Sequence, residues 1–144
     1  MRAIAATVEY AVPAEVAFRY LADPRNRPEW QSSLLSVEVP TDEVPHLGQA
    51  WRERTAIGVR PHMQTTELQP FRVWTERGTW RGVTATLSLH FTDTAGGCRV
   101  RAEGEVSGRG IWGIPAGTAG LLASRAIAAD LRKAGRILAS RSSQ

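Results

Sequence analysis

From Val83 to Val106 the chain alternates in a way that constrains its fold more than any other segment. In VTATLSLHF, Val83, Ala85, Leu87, Leu89 and Phe91 share one face, while Thr84, Thr86, Ser88 and His90 share the other. In CRVRAEGEV, Val100, Ala102, Gly104 and Val106 alternate with Arg99, Arg101, Glu103 and Glu105, and Ala95-Gly96-Gly97 separates the two runs. A period of two with one dry and one wet face predicts an antiparallel hairpin. A dry sheet face must be covered by another layer. The cover is predicted from about 115 to 140, a segment rich in Ala, Leu and Arg. On a helical wheel Leu121, Ser124, Ile127, Ala128, Leu131, Gly135 and Leu138 fall on one side. Arg125, Ala129, Arg132 and Arg136 fall on the other.

The remaining elements follow from the same periodicities. Val8, Tyr10 and Val12 alternate with Thr7, Glu9 and Ala11 as a half-buried strand. Pro13 suits a first helical turn, AEVAFRYLA follows, and Asp23-Pro24 closes that helix. A second short helix is expected around Arg27 to Gln31, with Trp30 at its end. Leu35, Val37 and Val39 then alternate until Pro40, and VPTDEVPHLG is a loop by its prolines and glycine. Strands are expected at about 49–57, 62–69, 71–80, 83–93 and 98–107. The predicted class is therefore α+β: a first strand, two short helices, about six strands and one long helix.

Composition narrows the rest. Residues 1–144 fit one domain able to bury roughly two-thirds of its unfolded surface. Hydrophobic residues make up 42% and charged residues 22%, which argues against disorder. No apolar run approaches the ~20 residues of a membrane span. MRAIAATVEY reaches a charge too early for a signal peptide, so a cytoplasmic location is expected. The lone Cys98 has neither a disulfide partner nor the company of a metal site, and no metal or cofactor is expected. The net charge is +4, with Lys133 the only lysine and the arginines scattered, which reads as a solvated basic surface rather than a nucleic-acid site.

The long helix is lined mostly by small residues such as Ser124, Ala128 and Gly135. Opposite a strongly bent sheet, such a lining leaves volume for a ligand. The segment VEYAVPAEVAFRYLADPRNRPEW resembles the opening of the START-related SRPBCC superfamily, including its polyketide cyclase/dehydrase branch. TTELQP at 65–70 and AGGCRVR at 95–101 resemble later parts of the same family. The resemblance implies a helix-grip fold, in which a curved seven-stranded antiparallel sheet grips the C-terminal helix around a deep hydrophobic tunnel.

Candidate site residues come from strand parity. With Thr65 placed inward by analogy, Met63 and Glu67 share its side. On the preceding strand Trp51, Glu53 and Thr55 oppose Ala50, Arg52 and Arg54, and alternation alone allows either set to face in. Glu67 and Glu53 are the candidate acid/base groups, because a carboxyl in an apolar cavity titrates nearer neutrality. Pairing with an arginine such as Arg54 is the plainer alternative. His62 is a third candidate, at a strand start near the pocket mouth, whereas His90 is expected to face solvent and His46 to lie on the surface. Trp30, Trp51, Trp74 and Trp80, with Met63 and Thr65, are the candidate ligand contacts, since aromatic faces stack on planar ligands. Trp112 is a further tryptophan in the same class.

Three functions fit this reading. The first is a cofactor-independent cyclase, aromatase or dehydratase acting on a polyketide-like molecule. The second is a carrier or sensor for a lipid, isoprenoid or aromatic ligand. The third is an interaction module that meets a large macromolecular partner through its basic surface.

Overall fold

The computed structural model describes residues 2–39, 44–108 and 116–142. The order is β1 (Arg2–Tyr10), α1 (Ala14–Leu21), a single turn at Pro24–Asn26, α2 (Arg27–Trp30), β2 (Leu34–Glu38), β3 (Ala50–Thr55), β4 (His62–Gln69), β5 (Val73–Trp80), β6 (Val83–Thr94), β7 (Gly97–Gly108) and α3 (Ala116–Ser142). All seven strands join one antiparallel sheet in the order β1-β7-β6-β5-β4-β3-β2. This is the α+β helix-grip architecture that the sequence predicts. Trp112 lies outside the described residues.

Local chemistry sets the corners. Asp23 accepts the backbone N–H of Arg25 at 3.0 Å and starts the turn that leads into α2. The backbone N–H of Ala14 donates to Asp93 at 2.9 Å, which fastens the start of α1 to the end of β6. The β5–β6 hairpin turns on Arg81 and Gly82, with φ of 47° and 80°, the backbone that a two-residue turn matched to strand twist requires.

The core lies beneath one end of the sheet. Leu89 and Phe91 of β6, Cys98 and Val100 of β7, Tyr10 of β1, Phe18 of α1 and Leu131, Ala134 and Leu138 of α3 are buried together. Phe18 meets the Phe91 ring edge-on at 5.3 Å. Further along β6 the same dry face loses its cover: Leu87 and Val83 are half-buried and Ala85 is exposed. The reason is where α3 sits. Among the described residues it packs chiefly along β1, with α2 beside it.

Two expectations about faces need correction. Leu121, assigned to the inward stripe of α3, is 53% exposed, and Ala134 takes a fully buried place on that helix. On β2 it is Leu34 that is buried while Leu35 is exposed, because the pairing with β3 shifts between Leu34 and Ser36 and moves the alternation by one residue.

Candidate functional site

Between this part of the sheet and the helices lies a cavity of about 470 Å³. Glu76, Gly78 and Trp80 of β5 and Val83, Ala85 and Leu87 of β6 form its floor. Glu53 and Thr55 of β3, Val59, Pro61 and Met63 of the following hairpin, and Ile4 of β1 close the sides. Arg27, Trp30 and Gln31 of α2 and Ile127, Asp130 and Leu131 of α3 complete the wall. Most of this surface is apolar, and the volume suits one small organic molecule.

Set into it is a buried cluster of three ionisable side chains. Nε of Arg27 lies 2.6 Å from Oε2 of Glu53, and Nη1 lies 2.8 Å from Oε2 of Glu76. The indole N–H of Trp51 donates to the same Glu53 oxygen at 2.9 Å. The guanidinium also sits 5.7 Å from the rings of Trp30 and Trp51 and 5.9 Å from that of Trp74, close enough for the ring faces to attract it. A cation is thus surrounded by two carboxylates and three indoles, away from water.

Two carboxyl groups share one guanidinium, so a proton is favoured on one of them. Burial pushes the Glu76 carboxyl upward, Arg27 draws it down and the Glu53 carboxylate pushes it up again, leaving it at about 7. Burial acts on Arg27 in the opposite sense, but Glu76 and Glu53 outweigh it and keep the guanidinium charged.

The sequence-derived candidates divide into three groups. Glu53, Met63, Trp30 and Trp80 line the cavity. Trp51, Thr65 and Trp74 are buried without lining it; they stand behind the wall and support it. Glu67 and His62 line no part of it. The parity that joined Met63, Thr65 and Glu67 fails because the β4–β5 pairing slips between Thr65 and Glu67. Glu67 is therefore turned to the outer face, where it accepts from Thr75 at 3.2 Å and from Gln69 at 2.8 Å. His62 is exposed at the start of β4. His90 is half-buried, with Nε2 3.8 Å from Glu103 on the outer face. On β3 the inward set is Trp51 and Glu53, which resolves the choice that alternation left open.

Arg27 and Glu76 were not among the candidates. Glu76 shares its face of β5 with Trp74, Gly78 and Trp80, so a carboxylate flanked by inward tryptophans was a readable signal. Arg27 carries no such mark, since its partners are 26 and 49 positions away in the chain. Among the described residues no three His, Cys, Asp or Glu side chains are grouped to hold a metal ion. No described helix is long and apolar enough to cross a membrane. Burial raises the Cys98 thiol to about 11, which leaves it inert as a nucleophile.

A family described as polyketide cyclase/dehydrase and lipid transport matches residues 1–142. Among solved structures, a conserved protein from Geobacillus kaustophilus aligns over 97% of this chain and 96% of its own, with a TM-score of 0.78 at 15% identity. Protein MLL2253 from Mesorhizobium loti aligns over 97% and 98%, with a TM-score of 0.73 at 18% identity. DynU16, from the dynemicin biosynthetic locus, aligns over 96% of this chain and 47% of its own, with a TM-score of 0.70 at 14% identity. At these identities the likeness is one of fold. No curated protein matches the chain.

Proposed function

This chain belongs to the polyketide cyclase/dehydrase and lipid transport family, and on that premise we propose that its cavity binds a small, largely apolar molecule and cyclises or dehydrates it. The observation that carries this reading is the buried Arg27–Glu53–Glu76 cluster set into a mostly apolar wall. A carboxyl that titrates near neutrality is present in both forms at working pH, and so serves as acid and as base. As base, Glu76 removes the proton next to a substrate carbonyl. In a dehydration the C–O bond to the β-hydroxyl then breaks, and the proton held by Glu76 joins the departing hydroxide to form water. In a cyclisation the carbon freed of its proton attacks a second carbonyl, whose oxygen receives that proton. Arg27 is a positioning residue: it fixes the Glu76 carboxyl through the step, and Glu53 completes its charge balance.

The test compares the wild type with Glu76→Gln on β-hydroxy ketone and poly-β-carbonyl substrates. Loss of turnover with binding retained is the expected result, and turnover at the wild-type rate would remove Glu76 from the chemistry. A carrier for the same class of molecule is the second reading, favoured by the apolar lining and by the lipid-transport half of the family description. It predicts a ligand recovered unchanged, with wild type and variant binding it equally.

A further inference from the structure

We propose that the cavity selects a ligand whose polar end is a protonated amine and discriminates against carboxylates and phosphates. This rests on reading the cavity as a ligand site and is independent of the proton-transfer step. Among the described residues, the ionisable residues that line the wall are Arg27, Glu53, Glu76 and Asp130, three carboxyl-bearing residues and one guanidinium. That guanidinium is already engaged by both glutamates, at 2.6 and 2.8 Å. Asp130, half-buried on α3, receives hydrogen bonds from the Ser32 hydroxyl at 2.7 Å and the Ser32 backbone N–H at 3.3 Å. Both donors are neutral, so they orient the Asp130 carboxylate without cancelling its charge.

The wall is therefore negative in either state of Glu76. With Glu76 protonated, two carboxylates stand against one guanidinium; with Glu76 ionised, three do. A ligand anion entering this space loses its water and gains like charges as neighbours. An ammonium group loses the same water and gains an uncompensated carboxylate. Because most of the lining is apolar, solvent screens this difference less than it would on an open surface. The ligand's body, by the same lining, is aromatic or aliphatic and packs against Trp30, Met63, Trp80 and Leu87.

Three probes that share one body and differ only in charge test this: 1-naphthylmethylamine, 1-naphthalenemethanol and 1-naphthoic acid. Each is titrated calorimetrically into the full chain at pH 7 and fixed ionic strength. The expected order is amine, alcohol, acid, with the amine at least about tenfold tighter than the acid. The Asp130→Asn variant should shrink the amine-over-alcohol ratio severalfold. The amine-to-acid ratio is read on the wild type, so the test stands even where the variant fails to fold. An acid that binds as tightly as the amine overturns the proposal and leaves the cavity a ligand site. An unchanged amine-over-alcohol ratio in a folded Asp130→Asn variant removes Asp130 from the selection and overturns the charge argument. Absence of binding by all three removes the ligand-site reading and the inference with it.

Discussion

Nε of Arg27 and Oε2 of Glu53 lie 2.6 Å apart with both side chains 3% exposed, and this contact joins the first residue of α2 to the middle of β3. The same guanidinium reaches Glu76 on β5, two strands further across the sheet. One side chain from a four-residue helix thus holds the polar end of the cavity in place. A buried ion pair adds little net stability compared with an apolar replacement, yet removing one partner leaves uncompensated charge away from water.

Replacement of Arg27 alone is accordingly the most damaging change in the cluster. Arg27→Met should cost about 3–5 kcal/mol of unfolding free energy at pH 7, read from urea denaturation. Combining it with Glu53→Gln and Glu76→Gln should recover a large part of that loss, because the stranded charges go with their partner. If the single and triple variants prove equally unstable, the loss comes from packing and not from charge.

Glu76 gives the protein a pH dependence of definite sign. Its carboxyl holds a proton up to about 7 in the folded state, against an ordinary value of 4.5. Between those values the folded chain binds more protons than the unfolded one, so stability falls as pH rises. The contribution is fully present below the unfolded value and is lost as pH passes through the folded one, a change of about 3 kcal/mol in all. Glu76→Gln has no such proton to release. Urea midpoints at pH 5, 6, 7 and 8 should decline more steeply for the wild type than for the variant, and parallel profiles would contradict the placement of the proton on Glu76.

Gly78 sets the width of the cavity floor. A Cβ built there would come 2.7 Å from the sulfur and 3.2 Å from the terminal methyl of Met63. Both atoms belong to the far end of a flexible side chain, which can swing away. Gly78→Ala should therefore change stability by no more than about 1 kcal/mol, while the displaced methionine and the new methyl occupy ligand space. The affinity for 1-naphthalenemethanol should fall about tenfold by calorimetry; an unchanged affinity would place the ligand elsewhere in the cavity.

How much of this was legible in the sequence depended on whether the signal was local. The β6–β7 hairpin was readable because Leu89, Phe91, Val100 and Ala102 keep strict alternation over an unbroken pairing. The outward place of Glu67 was not, because one slip between Thr65 and Glu67 reverses every face beyond it, and no residue there announces it. Arg27 escaped for a different reason: a buried cation is defined by distant partners, whereas its neighbours Asn26 and Pro28 read only as a helix start. The consequence can be checked directly. Glu67→Gln and His62→Ala, both outside the cavity, should leave probe affinity and any turnover at wild-type values.

Gly135 and Tyr10 fix how closely α3 approaches the sheet. A Cβ on Gly135 would lie 2.7 and 2.8 Å from two carbons of the Tyr10 ring. The ring is buried and its hydroxyl donates to the Leu131 carbonyl at 2.6 Å, so it has no room to yield. An alanine gains about 1 kcal/mol in helix propensity over glycine, but overpacking against a fixed aromatic costs typically about 1–3 kcal/mol. Gly135→Ala is thus expected to destabilise the protein on balance, despite the better helix former. Tyr10→Leu removes the rigid ring and the hydrogen bond together, so the double variant should lose less than the two single losses combined. Additive losses would mean that α3 and β1 adjust independently, and that the gap between them is set by other residues.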